Sequence, residues 1–221
     1  MGANTVFNVA IGISLFGWPL VLLVYRVLGR DTLSFVPRLF GWLLAALCVL
    51  LAATNWPNGI ASLGIRPVSI ETLVLGVVTA VGTLLLFAAI GVIRRAMGLP
   101  NADIAMFARV TVLAPLHKLF LVVTAGVTEE ILYRGYAIGM GQVMFGGVAV
   151  AASVSLLVFT LAHLNWHASH LISVAVAGGA VTVLFVLSRD LGACILAHTL
   201  IDGVAVALMP SYLRRWARVP L

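Results

Sequence analysis

Two glutamates and an arginine lie in the middle of a long apolar segment, within the sequence Thr-Glu-Glu-Ile-Leu-Tyr-Arg-Gly at residues 128–135. In a helix exposed to hydrocarbon, each such charge costs roughly 2.5–3.5 kcal/mol at the bilayer centre. Three unpaired charges would cost roughly 7–10 kcal/mol. This helix must therefore face a protein interior or a water-filled cavity rather than lipid.

The spacing of the three charges predicts different surroundings for the two glutamates. In an α-helix Glu130 and Arg134 lie about 40° apart, with the acid before the base, and this order favours an ion pair. Glu129 points about 100° away from Glu130 and about 140° away from Arg134, so it has no partner on its own helix. A buried carboxylate without a partner suits a general base near neutral pH. The alternative is an ion network that only fixes helix packing, as in some transporters.

The composition is typical of an integral membrane protein. Of the 221 residues, 62% are hydrophobic and 9% are charged, whereas a soluble domain has about 25% charged residues. Most lysines and arginines, which give a net charge of +6, lie between the apolar runs, where they orient helices and contact lipid headgroups. The positive charge therefore does not indicate a nucleic-acid partner. Cys48 and Cys194 lie inside apolar runs, where we expect them to be packing residues.

Hydropathy predicts an all-α fold, a polytopic transmembrane helix bundle that forms one domain over residues 1–221. The seven predicted spans are residues 6–25, 39–54, 70–92, 116–140, 143–163, 170–187 and 191–209. An eighth is added if the segment between Pro100 and Pro115 inserts rather than lying at the membrane surface. Basic residues follow spans one, three and seven, so the N-terminus is predicted outside and the C-terminus in the cytoplasm.

Two further pairs of residues bring polar groups into the predicted spans. Phe159 and His163 are four residues apart near the end of span five, and His198 and Asp202 are four residues apart in span seven. Each pair therefore shares one helix face. A lone buried histidine is usually a packing residue, but two on different helices, together with Glu129, predict a shared polar pocket.

The other histidines near His163 allow a second interpretation. His167 and His170 could form a zinc site with His163, although a polar turn at the membrane surface is the simpler interpretation. The sequence contains neither His-Glu-x-x-His nor Gly-x-Ser-x-Gly, so the motifs of common zinc proteases and serine hydrolases are absent. We therefore expect no metal and no other cofactor.

The three polar motifs together resemble the CPBP family, the CAAX proteases and bacteriocin-processing enzymes that are also called Abi proteins. That family has the motifs Glu-Glu-x-x-x-Arg, Phe-x-x-x-His and His-x-x-x-Asn/Asp, in this order on separate spans. The matching residues here are Glu129-Glu130-x-x-x-Arg134, Phe159-x-x-x-His163 and His198-x-x-x-Asp202. The resemblance covers a catalytic core of about residues 116–209 and implies an intramembrane glutamate-type endopeptidase.

The resemblance also implies a role for each matching residue. Glu129 with His163 would activate a water for attack on the scissile carbonyl, and His198 with Asp202 would stabilise the oxyanion. The remaining motif residues would support the architecture, and they are Glu130, Arg134 and Phe159.

Position 202 departs from the CAAX endopeptidases themselves, which have Asn there. Only a protonated Asp donates a hydrogen bond to an oxyanion, so Asp202 must either carry a proton or orient His198 instead. A prenylated CAAX protein is therefore one candidate substrate among other membrane-associated peptides and protein tails.

Two alternatives to this enzyme stay open in the sequence. One is a zinc-dependent protease with the same residues, and the other is a transporter or scaffold whose polar core relays protons or fixes packing. The expected partners are the substrate peptide and the lipid bilayer, and the expected location is a prokaryotic cytoplasmic membrane. Because hydropathy places His163 nearer a membrane face than Glu129 and His198, the protease interpretation predicts an offset or re-entrant helix there.

Overall fold

A computed structural model describes residues 3–98, 109–164 and 168–216. Every regular element in these ranges is a helix, which confirms the predicted all-α fold. The elements are α1 (Ala3–Gly12), a first π segment (Ile13–Gly17), α2 (Trp18–Val27), α3 (Phe35–Asn55), α4 (Gly59–Ser62), α5 (Ile70–Ala96), α6 (Pro115–Glu129), a second π segment (Glu130–Met140), α7 (Val148–Leu161), α8 (Ala168–Ser188) and α9 (Leu191–Trp216).

Five helical stretches in the described ranges are long and apolar enough to cross a membrane. They are Thr5–Val27, Phe35–Asn55, Ile70–Ala96, His170–Ser188 and Leu191–Leu208. These stretches indicate an integral membrane protein, and they correspond to predicted spans one, two, three, six and seven. The stretch predicted as span four carries the buried charges and changes from α- to π-helical geometry in its middle, and α7 in span five has only 14 residues.

The predicted start of span five is wrong. The helix was expected from residue 143, but α7 begins at Val148. Gly146 and Gly147 precede it with φ angles of 75° and 147°, a backbone conformation that glycine adopts readily and other residues rarely do. His163 follows α7 in a turn. Most of the segment predicted between Pro100 and Pro115 lies outside the described residues.

The two π segments pack against each other in the middle of the bundle. The Ser14 hydroxyl, in the first segment, donates to the carbonyl of Leu132 at 2.6 Å, and the Ser155 hydroxyl of α7 donates to the carbonyl of Tyr133 at 2.7 Å. A π-helix shifts the backbone register from i+4 to i+5, and such segments are frequent at functional sites. Here the two serine hydroxyls bind the carbonyls of Leu132 and Tyr133, just after the second π segment begins. Every residue from Leu132 to Met140 is buried.

Glycines let the second π segment approach the chain around α4 very closely. A Cβ at Gly139 would overlap the carbonyl oxygen of Ser62, and one at Gly135 would lie 3.3 Å from that of Leu63. These two glycines form a small-xxx-small step, a pattern that allows close packing.

The carboxylate of Asp190 stabilises the end of the bundle at which α4 lies. It is 1% exposed and accepts hydrogen bonds from the Thr72 hydroxyl at 2.6 Å, the Arg66 guanidinium at 2.8 Å and the Ala193 amide at 3.0 Å. Burial raises the pKa of Asp190, but the three hydrogen bonds and the charge of Arg66 together bring it below its ordinary value. The ionised carboxylate therefore caps the start of α9 and connects it to α5.

Candidate active site

The carboxylate of Glu130 lies at the centre of the buried charges. It is 0% exposed, and its Oε1 atom accepts hydrogen bonds from Arg134 Nη1 at 2.9 Å and from His198 Nδ1 at 2.6 Å. The first contact confirms the ion pair predicted from the spacing of Glu130 and Arg134. Both bonds involve charged groups in a site without water contact at Oε1, where such bonds are short and strong.

His198 connects Glu130 to Asp202. Its Nε2 atom lies 3.5 Å from Asp202 Oδ2, so the predicted shared face of these two residues is confirmed. An ionised carboxylate only accepts hydrogen bonds, and Nδ1 must therefore carry a proton toward Glu130. The imidazole is fixed between two carboxylates and cannot rotate freely.

A close approach of α6 and α9 brings these groups together. A Cβ at Gly126 would overlap the Thr199 hydroxyl, and one at Gly203 would lie 3.9 Å from Val122. The two helices therefore run in opposite directions along each other. This register places His198 beside Glu130 and places Asp202 one helical turn closer to the start of α6.

Arg134 connects the second π segment to α7 and α8. Its Nη2 atom donates to the Gly178 carbonyl at 2.9 Å, and its Cζ atom lies 4.5 Å from the centre of the Phe159 ring. A Cβ at Gly178 would lie 2.9 Å from that ring, so a larger residue would displace Phe159. The aromatic member of the Phe-x-x-x-His motif is therefore a platform for the buried guanidinium.

His163 lies at the edge of the same cluster, in the turn after α7. Its Nδ1 atom is 2.8 Å from the Phe159 carbonyl, and its ring centre is 5.0 Å from that of Phe159. Because a carbonyl only accepts, Nδ1 is the donor in this hydrogen bond. Phe159 also lies 6.4 Å from the ring of His198, so it stands between the two histidines.

Glu129 differs from its neighbour Glu130. Its side chain is buried, with 6% exposed, and no group in the described part of the chain donates a hydrogen bond to its carboxylate. The charge of Arg38, in α3, interacts with it electrostatically. The helical geometry of the sequence predicted this difference between the two glutamates, whereas the catalytic role of Glu129 stays a prediction.

A comparison with known protein families indicates the same family as the three sequence motifs. Residues 109–204 match the family described as type II CAAX prenyl endopeptidase Rce1-like. We call residues 109–204 the Rce1-like domain because of this similarity. The match confirms the resemblance to the CPBP family, and the matched range includes every site residue predicted from the sequence. No curated protein and no solved structure matches the chain significantly.

Two residues beside the site were not predicted from the sequence. Arg38 falls between predicted spans one and two, but in the structure it lies in the first turn of α3, outside the Rce1-like domain, and interacts electrostatically with Glu129 and Asp202. His170 was expected near His163 only in the alternative zinc site, and its ring lies 6.4 Å from that of His163. The sequence held one sign that Arg38 belongs to a helix: it directly precedes the apolar run that was predicted as span two.

A metal ion in a protein needs several ligating side chains close together. Within residues 3–98, 109–164 and 168–216, no three His, Cys, Asp or Glu side chains form a group that could hold one. His167, which belongs to the alternative zinc site, lies outside these ranges.

The two adjacent glutamates are expected to differ in their effect on stability. Glu130→Gln leaves Arg134 without its buried counterion and lowers the free energy of unfolding by about 3 kcal/mol. Glu129→Gln breaks no such pair and changes it by less than about 1 kcal/mol. Unfolding of the purified variants in detergent measures both values. Glu71→Gln, at an exposed glutamate in the first turn of α5, is the control, and equal losses for Glu129 and Glu130 would contradict the assignment.

Proposed function

We propose that this protein is an intramembrane endopeptidase that cleaves a membrane-associated peptide or protein tail with a water activated by Glu129 and His163. The Rce1-like domain supports a membrane endopeptidase of the CAAX-protease type. One observation supports the finer assignment to Glu129. Of two adjacent buried glutamates, Glu130 is held by Arg134 and His198, whereas no described group binds the carboxylate of Glu129.

The proposed reaction begins with a water between Glu129 and His163. Glu129 accepts a proton as the water oxygen attacks the scissile carbonyl, and the imidazole of His163 accepts a hydrogen bond that orients the water. The proton then passes to the leaving amine as the carbon–nitrogen bond breaks. Neither step needs a metal, since a carboxylate and an imidazole supply the base.

His198 is proposed to stabilise the oxyanion. A doubly protonated imidazole donates from Nδ1 to Glu130 and presents a second proton at Nε2. At 3.5 Å, Asp202 is near enough to attract that proton but too far for a strong hydrogen bond. We therefore assign Asp202 to the orientation of His198, which removes the need for a protonated Asp. Glu130, Arg134 and Phe159 position the imidazole and the helices around it.

The direct test uses purified protein in detergent and a set of membrane peptides, with and without a prenylated cysteine. We expect Glu129→Gln to lower kcat by about 10²–10⁴-fold, because removal of a general base costs this much. Glu71→Gln is expected to match the wild type. Chelators should leave the rate unchanged. A chelated enzyme that loses activity and regains it with Zn²⁺ would replace the proposal with a zinc protease.

The helices predicted as spans four and five are proposed to cross the membrane as well. Seven crossings would put the connection before α3, the end of α5 and the basic end of α9 on one side, which is the cytoplasmic side by the positive-inside rule. Asp202 and Arg38 lie toward this side, so the site would open to the cytoplasm. We place the protein in a prokaryotic cytoplasmic membrane with its N-terminus outside.

Labelling of single cysteines tests this orientation. Val68, which is 70% exposed before α5, and Arg30, which is exposed before α3, belong to opposite ends of the bundle. In intact cells, a membrane-impermeant maleimide should label Val68→Cys, and Arg30→Cys only after permeabilisation. The native Cys48 and Cys194 are buried, and the unmodified chain provides the background. The reverse pattern would invert the topology.

A further inference from the structure

We propose that the Arg38 guanidinium binds the free α-carboxylate at the C-terminus of the substrate and thereby limits cleavage to sites near a chain end. The inference rests on the proposed endopeptidase function. Arg38 belongs to α3, outside the Rce1-like domain of residues 109–204. It would therefore be a substrate-binding residue that the three motifs do not contain.

The packing of α3 against α6 places Arg38 near Glu129, toward the start of α6. A Cβ at Gly41 would lie 3.4 Å from the hydroxyl of Thr128, the residue before Glu129. The indole of Trp42 donates to the Thr124 hydroxyl at 3.0 Å, about one turn further out along α6. Arg38 precedes Trp42 by one helical turn in α3 and so lies one further turn away from Glu129.

The guanidinium of Arg38 is held in place but uses few of its donors. Its Cζ atom lies 5.2 Å from the centre of the Trp18 ring, a cation–π contact that fixes the side chain. Nη2 donates to the Thr32 carbonyl at a long 3.3 Å, and Nε is buried without a hydrogen-bond partner in the structure. An arginine has five N–H donors, and within the described residues one hydrogen bond, from Nη2 to Thr32, uses them.

Arg38 is not simply the counterion of the site's carboxylates. It interacts electrostatically with Glu129 and Asp202, but no described carboxylate lies within 4.0 Å of its guanidinium nitrogens. The remaining anionic residue of the site, Glu130, already has partners in Arg134 and His198. A planar guanidinium with open donors is suited to bidentate binding of a carboxylate.

A substrate carboxylate at this position is consistent with cleavage close to a C-terminus. A CAAX sequence ends in three residues after its cysteine, and the last residue carries the free carboxylate. Three extended residues span about 10 Å. Arg38 lies about one to two helical turns from Glu129. It can therefore reach the terminal carboxylate of the substrate while the scissile bond lies beside Glu129.

The experiment compares two forms of one probe, a peptide with a farnesylated cysteine followed by three aliphatic residues, made as a free acid and as a C-terminal amide. We expect the wild type to cleave the acid at least tenfold more efficiently. Arg38→Gln should lower kcat/KM for the acid about ten- to a hundredfold more than for the amide, mainly through a higher KM for the acid. Arg30→Gln, which removes an exposed charge from the preceding connection, should behave like the wild type.

Arg38→Lys provides a second variant that keeps the charge and loses the bidentate geometry. Arg38→Lys should reduce the preference for the acid less than Arg38→Gln does. If Arg38→Gln does not fold, Arg38→Lys replaces it in the experiment. Equal cleavage of acid and amide by the wild type, or equal loss of both in Arg38→Gln, would overturn the inference while the protease stands. If the wild type cleaves neither probe and no other membrane peptide, the proposed function fails and the inference with it.

Discussion

The fully buried carboxylate of Glu130 determines how the other parts of the site are arranged. A charge in this position is tolerated only if cations and donors surround it, since one unpaired buried charge costs several kcal/mol. Arg134 supplies the counterion from the same helix and His198 supplies a second donor from α9. Because Arg134 also binds the Gly178 carbonyl and lies over Phe159, one carboxylate connects four parts of the bundle.

The scaffold around Glu130 requires close packing at a few small residues. Gly126 lets α9 approach α6, Gly178 leaves room for Phe159, and Gly139 lets the second π segment contact the chain near α4. The π segment adds two carbonyl contacts to serine hydroxyls at the level of the charges. Together these features hold Glu130 and His198 in a fixed geometry. Among the described residues, Glu129 beside them has no hydrogen-bonded partner, which is consistent with the proposed role as general base.

Local spacing predicted those contacts that lie within one helix. The Glu130–Arg134 pair, the shared face of His198 and Asp202, and the separation of Glu129 from Arg134 all follow from the period of an α-helix. The His198–Glu130 bond could not be predicted, because it depends on the register between α6 and α9. The π segments, the short α7 and the position of Arg38 likewise depend on tertiary packing. Hydropathy predicted helices throughout, but it overestimated span five because apolar residues continue through the glycine turn before α7.

The central claim is that Glu129 is the base of a membrane endopeptidase, and cells provide its most direct test. Mass spectrometry would compare membrane peptides and protein termini between cells that express the wild type and cells that express Glu129→Gln at the same level. The account predicts a defined set of new termini that only the wild type produces, and their sequences would identify the substrate class. Identical profiles, with Glu129→Gln folded and inserted normally, would contradict it and favour transport or packing as the role of the buried charges.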